Sequence, residues 1–145
     1  MNKIVHTYSE ADTIAYARAF ASCLRGGDSV LLHGDLGMGK SVFSRAVIRA
    51  LSGDDFLEVP SPTFTLVQTY DVPVGCVWHF DLYRLSDPDE VYELGWEEAI
   101  TDGILLIEWP ERLGGLTPRK HYEVILTHEK SDAVDVRKIE VRYNE

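Results

Sequence analysis

The chain has 145 residues, which is the usual size of one domain, so we predict a single domain over residues 1–145. Hydrophobic residues make up 45% of the chain and charged residues 26%, a composition that is too apolar for a disordered protein. The formal net charge is -10, which disfavours direct binding to the phosphate backbone of a nucleic acid.

Neither a membrane span nor a secretion signal is expected. The sequence contains no run of about 18 apolar residues, and its first residues lack the apolar segment of a signal peptide. We therefore expect a cytoplasmic protein with no membrane partner. The two cysteines, Cys23 and Cys76, are far apart in the chain, and we expect them to be small buried side chains without a disulfide or metal role.

The first part of the chain predicts a strand, a helix and then a strand–loop–helix unit. A β-like segment at residues 4–8 precedes Ser9, which would cap a helix whose apolar stripe stops at the glycine pair 26–27. Residues 29–33 are a short apolar run of the buried-strand type. A glycine-rich turn follows it, and a second helical stripe then runs to Leu51.

The second part predicts a hairpin, short helices and further strands. Residues 64–70 and 77–81 alternate between polar and apolar and are separated by a turn around residues 73–75. Residues 87–89 are typical of a helix start, and the segment 91–100, interrupted by Gly95, predicts two short helical turns. The remaining predicted strands are residues 104–107, 122–127 and 138–143. Because helices and strands interleave, the predicted class is α/β.

The strongest functional signal is the segment 34–41, GDLGMGKS, which matches the P-loop pattern G-x-x-x-x-G-K-[ST] between a predicted strand and a predicted helix. Its glycines allow backbone N–H groups to surround a phosphate, and the helix N-terminus adds about half a positive charge. Lys40 would neutralise the β- and γ-phosphates, and the Ser41 hydroxyl would ligate Mg²⁺. We therefore expect a P-loop NTPase-type three-layer fold with a mixed central sheet. The predicted nucleotide-binding residues of this region are Gly34, Leu36, Gly37, Met38, Gly39, Lys40, Ser41 and Val42.

Two acidic residues at predicted strand ends are candidates for the metal and for the reacting water. Glu108 closes the apolar run 104–107, as a Walker B acid closes its strand, and is our candidate magnesium carboxylate. Its alternative role is a solvated strand-end carboxylate. Asp81 also ends a predicted strand and would hold Mg²⁺ through water or orient the attacking water, unless it is only a cap or turn residue.

Three further features each permit two interpretations. Trp109 would stack on a nucleobase or serve as a partly buried structural side chain. Ser61 and Thr63 would sense the γ-phosphate or form an ordinary turn. Arg84 is the sole basic residue in the segment 71–111, against eleven acidic ones, so we favour an ion pair slightly over contact with a phosphate or a partner.

Four segments together resemble the bacterial TsaE family of P-loop ATPases, which take part in making the threonylcarbamoyladenosine (t6A) modification of tRNA. They are GDLGMGKS at 34–41, SPTF at 61–64, HFDLYRL at 79–85 and IEWPE at 107–111, in the family's order and at about its spacing. The resemblance implies a small ATPase that binds a TsaB–TsaD pair and uses ATP to support repeated threonylcarbamoyl transfer. Such a protein would meet tRNA only indirectly, through the complex.

The same resemblance assigns roles to individual residues. Lys40 and Ser41 look like the phosphate and metal residues, and Glu108 looks like the magnesium carboxylate. Trp109 looks like the adenine contact, and Asp81 looks like a residue needed for hydrolysis. The implied catalytic residues are thus Asp81 and Glu108, and the implied ligands of the metal are Ser41 and Glu108.

Two positions depart from the family's pattern. Val42 stands where a second threonine is usual after the lysine, and Met38 stands where a smaller residue is common. Because Val42 has no hydroxyl, a second phosphate contact there, such as one to an α-phosphate, must come from its backbone N–H or be lost. We expect a difference in affinity but the same class of reaction.

Two other functions are compatible with a P-loop. A small-molecule kinase would transfer the γ-phosphate to a metabolite, and the shortage of cations in 71–111 argues against an anionic acceptor but not against a neutral one. A nucleotide-dependent binding module would use its ATP or GTP state to gate a partner with slow hydrolysis or none. The guanine-reading N-K-x-D segment is missing, which favours adenine.

Overall fold

The computed structural model describes residues 2–35, 39–131 and 134–145. Three of the predicted nucleotide-binding residues, Leu36, Gly37 and Met38, lie outside the described residues.

Strands and helices interleave along the described chain, as the sequence predicts. The strands are β1 (Asn2–Thr7), β2 (Ser29–His33), β3 (Val67–Val72), β4 (Gly75–Asp81), β5 (Ile104–Glu108), β6 (His121–Ser131) and β7 (Val134–Asn144). The α-helices are α1 (Glu10–Ala21), α2 (Lys40–Ser52) and α3 (Trp96–Asp102), and two 3₁₀-helices are η1 (Pro88–Leu94) and η2 (Pro110–Leu116).

Short polar residues and glycines set the helix ends. The Ser9 side chain accepts a hydrogen bond from the Asp12 backbone N–H and so caps α1. Helix α2 lies between Gly39 and Gly53, which have φ values of 99° and 76°. Asp87 begins η1 with a capping box, which confirms the predicted helix start.

The strands form one mixed sheet in the order β1-β7-β6-β2-β5-β4-β3. The four central strands β6, β2, β5 and β4 are parallel, and the outer pairs β1–β7, β7–β6 and β4–β3 are antiparallel. The predicted hairpin between β3 and β4 is confirmed. The carboxyl ends of β2, β5 and β4 therefore meet at one edge of the sheet, where ligands bind in open α/β sheets.

Helices cover both faces of the sheet and make three layers. Alternate residues of the buried strands β2 and β5 point to opposite faces. Val30, Leu32, Ile104 and Leu106 pack with α1 and α2, whereas Leu31, Leu105 and Ile107 pack with η1, α3 and η2. The P-loop-type α/β architecture is thus the one predicted.

Several local predictions were incomplete or wrong. Strand β3 begins at Val67 rather than at residue 64, because a turn holds residues 62–66, with the Leu66 N–H donating to the Pro62 carbonyl at 2.7 Å. Helix η2 was not predicted, and β6 and β7 extend beyond the predicted strands. The prediction that both cysteines are buried was wrong, because Cys23 is exposed and Cys76 is half-buried, and both are free. None of the described helices combines the length and the apolar character needed to cross a membrane.

Candidate functional site

The N-terminus of α2 lies directly after the glycine-rich segment that follows β2. Gly39 occupies the N-cap position in a left-handed conformation and has no side chain with which to cap the helix. The helix N–H groups at this end are therefore available to an anion. Lys40, which is only 6% exposed, and Ser41, which is exposed, are the first two residues of the helix.

The two candidate carboxylates are side by side at the ends of β4 and β5. Asp81 and Glu108 are register partners in the parallel pair, and each is 6% exposed. Both side chains lie on the face of the sheet that α1 and α2 cover. Val77 of β4 and Leu106 of β5 pack on that face, and residues an even number of positions apart on a strand share a face. Their placement near the start of α2 agrees with the position predicted from the sequence.

Asp81 is fixed by two hydrogen bonds. Its Oδ2 accepts from the Thr63 hydroxyl at 3.2 Å, and its Oδ1 accepts from the Tyr83 backbone N–H at 3.1 Å. The Thr63 hydroxyl is also 2.8 Å from the Ser61 hydroxyl. Since the single hydroxyl hydrogen of Thr63 goes to Asp81, Ser61 must be the donor to Thr63. The chain from Ser61 through Thr63 to Asp81 therefore links the turn before β3 to the carboxylate.

Glu108 is held by a histidine that the sequence interpretation did not single out. His79 Nε2 is 2.7 Å from Glu108 Oε2, and the His79 side chain is 3% exposed. An ionised carboxylate can only accept, so Nε2 carries the hydrogen and the ring donates. His79 Nδ1 is buried and has no hydrogen-bond partner among the described residues. One oxygen of Glu108 is thus committed to the histidine, and Oε1 is left for another ligand.

Trp109 lies over the P-loop lysine. The Lys40 Nζ atom is 4.0 Å from the centroid of a Trp109 ring, within cation–π range. Trp109 adopts a left-handed backbone conformation with φ 59° and ψ 50°, which is unusual for a residue with a large side chain. Its ring also packs against Tyr83, with centroids 4.9 Å apart.

These residues surround one cavity of about 370 Å³, which we call the phosphate cavity after the phosphate-binding role that the sequence predicts for Lys40. It is lined by Glu10, Gly39, Lys40, Ser41, Val42, Ser61, Thr63, Asp81, Glu108, Trp109 and Arg137. An adjacent cavity of about 520 Å³ shares Lys40 and Trp109 with it and also contacts Gly34. The structure therefore gathers the predicted P-loop lysine and serine, both carboxylates, the tryptophan and the Ser61–Thr63 turn into one site.

Arg84 does not form the expected ion pair. Its guanidinium carbon lies 4.9 Å from the centroid of the Phe64 ring, and no acidic partner for Arg84 is found within the described residues. Phe64 is 79% exposed and follows Thr63 directly. The flat guanidinium stacks on an aromatic face instead of pairing with one of the many nearby acids.

Two residues that line the phosphate cavity belong to none of the motifs found in the sequence. Glu10 begins α1, and Arg137 belongs to β7, next to Thr7 of β1 and His128 of β6 in the sheet register. Neither is close in sequence to the P-loop or to the strand-end acids. Only the sheet order, with β7 two strands from β2, brings Arg137 near the P-loop.

Comparison with known proteins gives one consistent family. Residues 7–139 match the family described as "Threonylcarbamoyl adenosine biosynthesis protein TsaE". The chain is 47% identical over 118 residues to the "tRNA threonylcarbamoyladenosine biosynthesis protein TsaE" of Rickettsia bellii, covering 81% of each chain. The protein of the same name from Bacillus subtilis is 30% identical over 131 residues, covering 90% of this chain and 80% of the relative.

A solved structure has the same fold. The crystal structure of Bacillus subtilis YdiB superposes with a TM-score of 0.79, at 24% identity, and covers all of this chain and 87% of the solved chain. This likeness supports the P-loop-type architecture.

The buried His79–Glu108 pair generates a stability prediction. Replacing His79 by leucine roughly keeps the side-chain size but leaves Glu108 without its buried donor. We expect the free energy of unfolding, measured in urea, to fall by about 1.5–3 kcal/mol. The double variant His79→Leu, Glu108→Leu should recover most of this loss, because replacing both partners by apolar groups removes the unpaired charge. A His79→Leu variant as stable as the parent protein would show that the hydrogen bond contributes nothing.

Proposed function

The chain belongs to the TsaE family of t6A biosynthesis proteins, and from this premise we propose that it binds and hydrolyses ATP with Mg²⁺ as an accessory subunit of a TsaB–TsaD complex. Threonylcarbamoyl transfer itself belongs to the partners, and tRNA meets this subunit only indirectly. The observation that carries the proposal is the phosphate cavity, which combines a lysine-bearing helix N-terminus with two buried carboxylates.

The positive side of the cavity suits the phosphates of a nucleotide. The N–H groups that begin α2 and the Lys40 ammonium lie together at the cavity wall. Val42 contributes only its backbone N–H, since its side chain has no donor. Lys40 would leave the Trp109 ring to reach a phosphate, and the vacated ring face would then be open to the adenine base.

The oxygen donors of the cavity fit Mg²⁺. The Ser41 hydroxyl and Glu108 Oε1 supply the kind of oxygen ligand that this ion prefers, and His79 fixes the orientation of Glu108. When bound, the metal would supply positive charge that offsets the negative charge developing during transfer of the γ-phosphoryl group.

Asp81 is the candidate for orienting the attacking water. Both of its oxygens already accept one hydrogen bond, from Thr63 and from the Tyr83 N–H, so the carboxylate is held in a defined position. Each carboxylate oxygen has a second lone pair with which to accept a hydrogen bond from water. Ser61 and Thr63 act through Asp81 in this scheme, as positioning residues beside the γ-phosphate.

A partner surface adjoins the site. The exposed Phe64 ring directly follows Thr63, and Arg84, whose guanidinium stacks on that ring, lies three residues after Asp81. Aromatic and arginine side chains are enriched at protein–protein interfaces. We assign this pair of side chains to the contact with the TsaB–TsaD pair.

Lys40→Ala tests the nucleotide site. Removal of the ammonium should weaken Mg-ATP binding by about 100-fold or more, equivalent to about 2.8 kcal/mol, because a charge-assisted contact to two phosphates is lost. Titration calorimetry on the folded protein measures the effect. The exposed Lys120 provides a matched control, and its alanine variant should bind like the parent. Equal binding by Lys40→Ala would refute the phosphate assignment, and absence of binding to the parent would refute the ATPase proposal.

Hydrolysis should depend on the partners. We expect slow phosphate release by the isolated protein and a clear increase when TsaB and TsaD are added, because P-loop enzymes commonly need groups that complete the site. A steady-state phosphate assay with and without the pair measures this. An unchanged rate would contradict the partner role, and a phosphorylated metabolite formed in proportion to ATP lost would indicate a kinase instead.

Thr63→Val tests the positioning of Asp81. The variant loses the hydroxyl that donates to Asp81, and we expect kcat to fall about 10-fold, as loss of one hydrogen bond to a charged group implies, with little change in ATP affinity. Thr63→Ser should restore turnover. The neighbouring exposed Thr65, changed to valine, serves as the control and should keep the parental kcat. An equal decrease in both valine variants would show a general effect on the turn.

A further inference from the structure

Arg137 is a cation at the P-loop site whose role no motif assigns. Arg137 is half-buried on β7 and lines the phosphate cavity together with Lys40 and Val42. Apart from Lys40, it is the only lysine or arginine among the described residues that line this cavity.

A neighbouring cavity shows at which end of the site Arg137 lies. This cavity, of about 290 Å³, is lined by Tyr8, Ser9, Glu10, Thr13, Gly39, Val42 and Arg137. Asp81, Glu108 and Thr63 line the phosphate cavity but not this one. Arg137 therefore lies where the two cavities meet, beside Gly39 and Val42, whereas the metal and water residues and Trp109 line only the phosphate cavity of the two.

We propose that the guanidinium of Arg137 binds an inner phosphate, α or β, of the nucleotide. The inference rests on the proposed ATP site and assigns it a further binding residue. The phosphates would then contact Lys40, the N–H groups that begin α2 and the Arg137 guanidinium. The terminal phosphate would lie toward Ser41, Glu108 and Asp81 at the opposite end of the cavity.

Two features of the site call for a cation at this position. Val42 lacks a hydroxyl with which to contact a phosphate, and the planar guanidinium can supply two parallel N–H donors to phosphate oxygens. Glu10 lines the same two cavities as Arg137. Its carboxylate would repel a polyanion unless a nearby cation offset its charge.

Calorimetry with Mg-ADP and Mg-ATP on four proteins tests the assignment: the parent, Arg137→Gln, Arg137→Lys and Arg142→Gln. Arg137→Gln should weaken both nucleotides equally, by about 10- to 100-fold, because both contain the inner phosphates. Arg137→Lys should lose about 3- to 10-fold in affinity, since lysine keeps the positive charge but not the two parallel N–H donors of the guanidinium. Arg142, on the same strand but exposed and paired with Glu140, is the matched control and should bind like the parent.

The outcomes separate this inference from the proposed function. A parent that binds neither nucleotide overturns the ATP site itself. A parent that binds, with Arg137→Gln unchanged, overturns only the role of Arg137. If Arg137→Gln loses affinity for ATP but not for ADP, the placement of Arg137 at the inner phosphates is wrong. If Arg137→Gln does not fold, Arg137→Lys provides the test. Nucleotide affinity equal to that of the parent in Arg137→Lys then overturns the assignment.

The double variant Glu10→Gln, Arg137→Gln distinguishes direct contact from simple neutralisation of Glu10. If Arg137 contacts the phosphate, the double variant remains at least about 10-fold weaker than Glu10→Gln alone. If Arg137 only offsets the Glu10 carboxylate, the two proteins bind equally, and the proposal is wrong.

Discussion

A helix N-terminus facing two buried carboxylates is the electrostatic constraint on which this site depends. It arises because β2, β5 and β4 are parallel neighbours, so the start of α2 and the ends of the two acidic strands meet at one edge of the sheet. Lys40, Asp81 and Glu108 are each about nine-tenths buried or more, where charges are costly unless they are paired. Under the proposed function, a metal–polyphosphate group, which carries charge of both signs, would complement both the helix N-terminus and the carboxylates.

The backbone at the end of β5 shows how Trp109 is positioned. Trp109 has a left-handed conformation that costs about 1–3 kcal/mol for a residue other than glycine. The following Pro110 is buried and restricts the conformation of Trp109 further, and the ring is wedged between Lys40 and Tyr83. Packing therefore fixes an unfavourable backbone geometry that places an aromatic face over the ammonium. Such retained strain is common at functional sites.

Sequence was sufficient wherever the determinants are local. The P-loop spacing located α2 and Lys40, and the apolar runs before Asp81 and Glu108 identified the ends of β4 and β5. No role was predicted for His79, Glu10 or Arg137, because their contacts at the site depend on strand order and register, which a single sequence does not specify. Arg84 was assigned to an ion pair since acids surround it in sequence, whereas the fold offers it the Phe64 ring.

The geometry also shows how a bound partner would affect hydrolysis without placing a residue of its own in the site. Phe64 is bonded directly to Thr63, whose hydroxyl holds Asp81, so a protein seated on the exposed ring would act on the turn that positions the carboxylate. If a nucleotide orders this turn and a partner binds the ordered turn, each ligand strengthens the binding of the other. By linkage, the two factors are equal. Under the proposed function, this coupling needs no long-range conformational change, because Phe64 is covalently attached to Thr63 and Thr63 is hydrogen-bonded to Asp81.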